Sequence, residues 1–312
     1  MSKNRVSICM PVFNGEQYLL RSLNSLLSQT YVNFELIISD NASTDGTEKI
    51  CNEIARRDKR VKYIRNEVNI GSIPNFKFLL EQANCEYFMW AACDDFWERT
   101  FIEQLVNMLD GNPSCIMAFS GFNHVDINGN VFRAYPNIYN IEVTNEKYEH
   151  SKSCALASLQ KYLYQDIIEG KANLFYALMR REEVLKINPL AKWGAFGWGF
   201  DLLVPAEILK YGNVCFVRDH LWLKTERPGS EGSLPDAVNN SLFQSITGVF
   251  NTLYIYNKYV FAYWELLNSM SPISIARSRI IKYIIFELMR TNMAYLRQVS
   301  ISVRLRIKKH MA

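Results

Sequence analysis

Apolar and polar positions alternate in blocks over the first hundred residues. Residues 5–10 form an apolar run stopped by Pro11, and Glu16 to Gln29 carries Leu19, Leu20, Leu23, Leu26 and Leu27 at helical spacing. Phe34 to Ser39 is a second run, closed by Asp40. A turn-rich Asn41-Ala-Ser-Thr-Asp-Gly46 then leads into a charged helical stretch from Thr47 to Arg57. A third strand is expected over Val61 to Arg65, and Asn69-Ile70-Gly71 opens another helix. The fourth run, Tyr87-Phe-Met-Trp-Ala-Ala-Cys93, does not alternate and ends in two adjacent carboxylates, Asp94 and Asp95. Strands that are apolar at nearly every position are covered on both faces, as in a parallel sheet. Four of them alternating with three helices call for right-handed crossovers. The expected fold is α/β, a mostly parallel nucleotide-binding sheet flanked by helices.

Beyond Ser114 the pattern changes to strand, turn and strand as far as Tyr135, with Asn128-Gly129 as the hairpin pair. Pro136 to Gly170 is polar, with a helix expected over Ser153 to Tyr164, and Ala172 to Met179 reads as a strand. A glycine- and aromatic-rich Trp193-Gly-Ala-Phe-Gly-Trp-Gly-Phe-Asp201 precedes a helix to about Tyr211 and a strand pair from Val214 to Thr225. The polar Gly229-Ser-Glu-Gly-Ser233 suits a lid or an acceptor loop. From Leu234 the pattern is helical, broken at Ser271-Pro272. The division expected is a nucleotide-binding half over 1–112, an acceptor-binding and catalytic half over 113–235, and a helical basic extension over 236–312.

An apolar fraction of 49% with 21% charged residues is that of a globular protein and excludes disorder as the default. The seven cysteines stand singly, without the paired spacing of zinc or redox sites, and read as buried free thiols in a reducing cytoplasm. The N-terminal apolar segment is too short for a signal peptide, and no run reaches the length of a spanning helix. Charge is divided unevenly. Residues 277–312 hold nine Lys or Arg against one acid, Glu287, a local +8 that leaves −4 for residues 1–276. An acidic surface rather than a nucleic acid is the partner this tail suggests.

Candidate chemistry collects where parallel strands end. Pro11-Val12-Phe13-Asn14 with Glu16 follows the first strand, Asp40-Asn41 with Ser43 and Asp45 the second, and Asp94-Asp95 the fourth. Parallel strands bring these ends to one edge, where open α/β sheets bind ligands. Two carboxylates there present hard oxygens to a divalent cation, Mg²⁺ or Mn²⁺, bridging to a phosphate. The competing reading makes Asp95 an N-cap for a helix from Trp97 to Leu109. Trp193, Phe196 and Trp198 read equally as a stacking platform for the ring of an acceptor, with Trp193 and Trp198 its binding residues, or as core under a loop. Walker, dinucleotide, Ser-His-Asp and His-Glu-x-x-His patterns are absent from the sequence.

These residues resemble the family 2 glycosyltransferases, inverting enzymes of the glycosyltransferase-A fold. The resemblance rests on Pro-Val-Phe-Asn at 11–14, Ser-Asp-Asn-Ala-Ser-Thr-Asp-Gly-Thr at 39–47, Asn-Ile-Gly at 69–71 with Asn75, and Cys-Asp-Asp at 93–95. It implies that Phe13 lies against the base of a nucleotide-diphosphate sugar, that Asp40 hydrogen-bonds that base, and that Pro11, Val12, Asn14, Glu16, Asn41, Asn69, Gly71 and Asn75 line the same donor site. Asp94 is implied to face the ribose and, with Asp95, to hold the metal. Asp201, at the start of a helix after a Gly- and Trp-containing loop, is the implied general base, a role compatible with N-capping, and Arg227 the implied phosphate contact. Relatives often carry a further aspartate two positions before the pair, where this chain has Ala92.

The resemblance points to transfer of a sugar to a hydroxyl of a glycan, lipid-linked, in bacterial surface polysaccharide synthesis. The alternative is a non-catalytic nucleotide-sugar-binding or scaffold protein that keeps the fold. A sugar nucleotidylyltransferase would want a glycine-rich N-terminal loop that Pro11 to Gly15 does not supply. The basic arm 277–312 suits either an anionic membrane surface, with a peripheral place on the inner face of the cell membrane, or packing on the domain with its charges solvated.

Overall fold

In the computed structural model, the structure describes residues 4–135, 159, 162, 170–193 and 200–226. Met1–Glu226 is one compact unit. The expected helix over Ser153 to Tyr164, the Gly229 to Ser233 segment and everything expected of 236–312 lie outside the described residues, apart from Leu159 and Tyr162.

Nine strands build one sheet in the order β3-β2-β1-β4-β8-β6-β9-β5, with β7 paired to β6. The first half is the expected one. Strands β1 (Val6–Val12), β2 (Phe34–Asp40), β3 (Val61–Arg65) and β4 (Tyr87–Trp90) run parallel, and β1, β2 and β4 are buried at almost every position. Helices α1 (Glu16–Leu27), α2 (Thr47–Arg57) and α3 (Ser72–Gln82) supply the crossovers. On α1 the stripe Leu19, Leu23 and Leu26 is fully buried while Leu20 is 51% exposed, so the core face is narrower than the leucine count implies. Gly71 precedes α3 at φ 90°, a backbone that side chains disfavour.

The second half makes the sheet mixed. Strand β8 (Leu178–Arg180) runs antiparallel to both β4 and β6 (Cys115–Val125), and β6 runs parallel to β9 (Asn213–Thr225). The hairpin expected to Tyr135 is present as β6 and β7 (Val131–Tyr135). Two expected elements differ. Ala172 to Met179 is not a strand: Lys171–Tyr176 is a 3-10 helix, and only Leu178–Arg180 extends. Gly170 starts this helix at φ 80°, where a Cβ would lie 2.6 Å from the Phe122 ring. The strand pair from Val214 to Thr225 is a single long strand that absorbs its irregularity as register shifts against β6 near Ser120 and Gly121. No Gly-Asn or Pro turn interrupts it.

Asp95 is not a helix cap. A short strand β5 (Phe96–Trp97) follows it and pairs antiparallel with β9, and α4 (Phe101–Gly111) begins only after Thr100. Helices α5 (Arg181–Ile187), α6 (Pro189–Trp193) and α7 (Phe200–Ile208) complete the unit. Among the described residues no helix is long and apolar enough to cross a membrane.

The reading of all cysteines as free thiols is overturned at two positions. Cys115 and Cys215 are joined in a disulfide at the start of β6 and in β9. Parallel pairing of those strands makes neighbours of residues 100 positions apart, which spacing along the chain cannot show. Cys9, Cys51 and Cys85 are free and buried, and Cys93 is free and partly exposed.

Candidate active site

The carboxyl ends of β1, β2, β3 and β4 share an edge with those of β6 and β9, because all six strands run in one direction. The first two end in loops laced to each other. The Asn14 side chain accepts a hydrogen bond from the Thr44 amide (2.8 Å), its own amide donates to Ser43 Oγ (2.9 Å), and the Gly15 amide donates to Thr47 Oγ1 (2.8 Å). Glu16 accepts from the Gly46 amide at 2.9 Å, and the Val12 carbonyl accepts from Asn41 at 2.8 Å. Asn14 adopts φ 51°, which its short amide tolerates better than most side chains. Pro11 does not stop β1 as expected: the strand runs through it, opposite Ser39, to Val12, and Phe13 follows, 47% exposed and available to a planar ligand.

Asp40 is wholly buried. Its carboxylate accepts from the Ser43 amide (2.9 Å), the Tyr63 hydroxyl (2.8 Å) and Arg65 Nη1 (2.6 Å). Asn41, Asn69 and Asn75 form a second network below it. Asn41 Nδ2 donates to Asn69 Oδ1 (2.8 Å), and Asn69 Oδ1 also accepts from the Gly71 amide (2.9 Å). Asn75 holds Ser39 through both its hydroxyl (2.5 Å) and its carbonyl (3.1 Å). Sequence reasoning placed these amides around a donor; the structure shows each of them bracing the edge of β2 and the entrance to α3.

Asp94 and Asp95 follow β4 at the centre of the edge, 9% and 2% exposed. Strand β9 fixes Asp95. Trp222 Nε1 donates to Oδ2 at 3.1 Å and the Thr225 amide to Oδ1 at 2.9 Å. Arg21 braces this arrangement from α1, donating to Thr225 Oγ1 (2.8 Å) and to the Ile127 carbonyl (3.0 Å) while its guanidinium lies 4.3 Å from the Phe96 ring. Burial, followed by the charge of Asp94, pushes the Asp95 carboxyl well above the ordinary carboxylate range; Lys224, the Thr225 amide and the Trp222 indole offset only part of this. Two neighbouring acids that cannot both ionise cheaply are the donor set a divalent cation would relieve. Among the described residues no group of three or more His, Cys, Asp or Glu could hold a metal alone. A cation at Asp94-Asp95 would therefore complete its shell with substrate oxygens and water, as Mg²⁺ does on phosphates.

Asp201 stands in the first turn of α7, partly exposed. Pro205 inside that helix removes the amide that would pair with the Asp201 carbonyl, and Tyr162 donates to the Leu202 carbonyl at 2.8 Å. Trp193 closes α6, its side chain lies outside the described residues, and so do Trp198 and Arg227. Three residues near the acid pair were missed from the sequence, Trp222, Thr225 and Tyr176, while Lys224, which the sequence offers beside Arg227 for a diphosphate contact, also acts on Asp95. Lys224 donates to the buried Asn173 at 2.6 Å, and Tyr176 packs on Trp222 with ring centroids 5.6 Å apart. The signal for the first two was the extended Phe96-Trp97 immediately after the acids, which needs a partner strand.

Residues 7–160 match the family described as Glycosyl transferase family 2. An uncharacterised glycosyltransferase of Haemophilus influenzae is 35% identical over 130 residues, 42% of this chain and 52% of that protein. TuaG of Bacillus subtilis, a glycosyltransferase whose assignment to teichuronic acid biosynthesis is provisional, is 32% identical over 122 residues, covering 39% of this chain and 48% of its own. The chain thus spans about half the length of these curated relatives. Among solved structures, residues 1–349 of S. aureus TarS in complex with UDP-GlcNAc superpose with a TM-score of 0.60 at 15% identity, over 90% of this chain and 71% of that one. That likeness concerns the fold, which is of the glycosyltransferase-A type. Through residues 7–160 the chain belongs to glycosyl transferase family 2.

Proposed function

We propose that the chain is a glycosyltransferase that moves a sugar from a nucleotide-diphosphate sugar to a hydroxyl of a glycan, with inversion at the anomeric carbon. The observation that carries this reading is the placement of Asp95, buried beside Asp94 and aligned through both oxygens by β9. Support for the donor class comes from the family and from the UDP-GlcNAc bound by TarS, which shares the fold. The assignment of TuaG supports a bacterial cell-surface glycan, and the basic stretch 277–312 would hold the chain near a lipid-linked acceptor on the cytoplasmic face.

Asp94 and Asp95 would hold Mg²⁺ or Mn²⁺ at the donor diphosphate. When bound, the cation supplies positive charge that stabilises the departing diphosphate. Phe13 stacks on the base, and the braced edge at Asp40, Asn41 and Asn75 presents a rigid wall to the nucleoside. Arg227 is the proposed additional contact to the diphosphate. Asp201 takes the proton from the acceptor hydroxyl as that oxygen bonds to the anomeric carbon from the side opposite the diphosphate. The bond from that carbon to the diphosphate oxygen breaks, and its electron pair leaves with the nucleotide. A donor held by fixed groups reacts with less loss of entropy than one that must be ordered during the reaction.

The test is nucleotide release from UDP-, dTDP- and GDP-sugars with Mn²⁺ and a mixture of cell-envelope glycans. Release from one donor class that is lost in Asp201→Asn supports the reading. Retention of full release by Asp201→Asn removes that residue as the base, and no release from any donor by the wild-type chain sinks the enzyme assignment.

A further inference from the structure

An in-line displacement places the anomeric carbon between the departing oxygen and the attacking one. If Asp94-Asp95 mark the diphosphate and Asp201 the acceptor hydroxyl, the transferred sugar lies between them. The 3-10 helix Lys171–Tyr176 packs against both β4 and α7. Phe175 stacks on Trp90 at the end of β4, with ring centroids 4.4 Å apart and planes 2° from parallel, and meets edge-on, at 5.2 Å, Phe200, the residue before Asp201. Tyr176 lies 5.6 Å from the Trp222 ring, whose indole N–H is donated to Asp95.

Tyr176 is therefore held by its ring next to the group that aligns Asp95, one residue from a side chain fixed beside Asp201. The residue as a whole is partly exposed. We infer that the Tyr176 hydroxyl hydrogen-bonds the transferred sugar of the nucleotide-sugar donor, which makes it a sugar-binding residue that is neither a metal ligand nor the base. The inference rests on the glycosyltransferase reading of the same site. The electrostatics agree: burial first, then the charges of Asp95, Asp94 and Asp201, push the Tyr176 hydroxyl well above its ordinary pKa. Those three acids thus all reach one hydroxyl, which stays protonated and able to donate.

Tyr176→Phe keeps the ring against Trp222 and removes only the hydroxyl. The experiment compares binding of a nucleotide sugar with binding of its bare nucleoside diphosphate, both with Mn²⁺, to the wild-type chain and to Tyr176→Phe. The donor is whichever of the UDP-, dTDP- and GDP-sugars binds the wild-type chain most tightly. Loss of one neutral hydrogen bond weakens the nucleotide sugar about 3- to 10-fold and leaves the bare diphosphate unchanged. Equal affinity of both proteins for the nucleotide sugar overturns the inference. Equal weakening of both ligands overturns it as well, since that pattern belongs to a packing role. If the wild-type chain binds neither ligand, the glycosyltransferase reading fails, and that outcome is distinct from the other two.

Discussion

Two buried aspartates stand on the same sheet edge and are treated in opposite ways. Asp40, after β2, is compensated: a guanidinium at 2.6 Å, a phenol and a backbone amide occupy its carboxylate. Asp95, after β4, receives two neutral donors and has a second carboxylate beside it. A buried charge paired within the protein is part of the scaffold, whereas one aligned but left electrostatically short is prepared for an external cation. On the proposed reading, the nucleoside end of the cleft is thus built in advance, and the phosphate end is completed by its ligands.

The comparison breaks most sharply by substitution at the phosphate end. Asp95→Asn should reduce transfer on the order of 10³-fold, by removing half of the cation's protein ligands. Its melting temperature should change little, because removing an uncompensated buried carboxyl is offset by an amide NH2 that must face one of the two donors, the Trp222 indole or the Thr225 amide. Asp201→Asn should lower kcat about 10²- to 10⁴-fold while leaving the affinity for the nucleoside diphosphate unchanged. An equal loss in that affinity would place Asp201 in donor binding. Asp40→Asn should show a clear loss of stability instead, because the wholly buried carboxylate accepts from three donors, one of which an amide NH2 must then face, and Arg65 loses the nearer of its two acidic partners. Chemical denaturation of the two variants side by side measures the difference, and similar losses in both would erase the contrast.

The smallest effect expected lies at the opposite end of β2. Burial raises the Glu35 carboxyl, but hydrogen bonds from Lys62 (2.6 Å) and Ser7 (2.7 Å) outweigh it and hold the pKa below the ordinary value. A depressed carboxyl contributes stability that is present above its unfolded pKa and is lost as pH falls through its folded value. Glu35→Gln should therefore lower the neutral plateau of the stability curve slightly and flatten its acid limb below about pH 4.5, so that the two proteins converge in acid. An unchanged acid limb would show that Glu35 titrates alike in both states.

The half of the site that could be read from sequence is the half made from consecutive residues. Apolar runs ending in Asn14, Asp40 and Asp94-Asp95 announce strand ends, and parallel order collects them on one edge. What sequence did not show is what holds these groups. Trp222 and Thr225 reach Asp95 only because β5 pairs with β9, a contact between residues more than a hundred positions apart. Reading Val214 to Thr225 as two strands hid that pairing. The bracing by Asn41 and Asn75 was hidden for a related reason: an amide beside a cleft gives the same sequence signal whether or not it also holds the backbone and side chains of its neighbours. Periodicity took Ala172 to Met179 for a strand because six residues of 3-10 helix present apolar side chains as densely as an extended segment does. The Cys115–Cys215 pair follows the same rule, since only the parallel register of β6 and β9 brings the two together.

The most direct measurement is a thermal-shift titration of the purified chain with UDP-, dTDP-, GDP- and CMP-sugars, with and without Mn²⁺, run in parallel on Asp95→Asn. A ligand that binds the native state alone must raise the midpoint. The account predicts a rise with one nucleotide class that requires Mn²⁺ and disappears in Asp95→Asn. A rise of equal size without Mn²⁺, or one that survives in Asp95→Asn, would contradict the claim that the acid pair binds the donor through a cation.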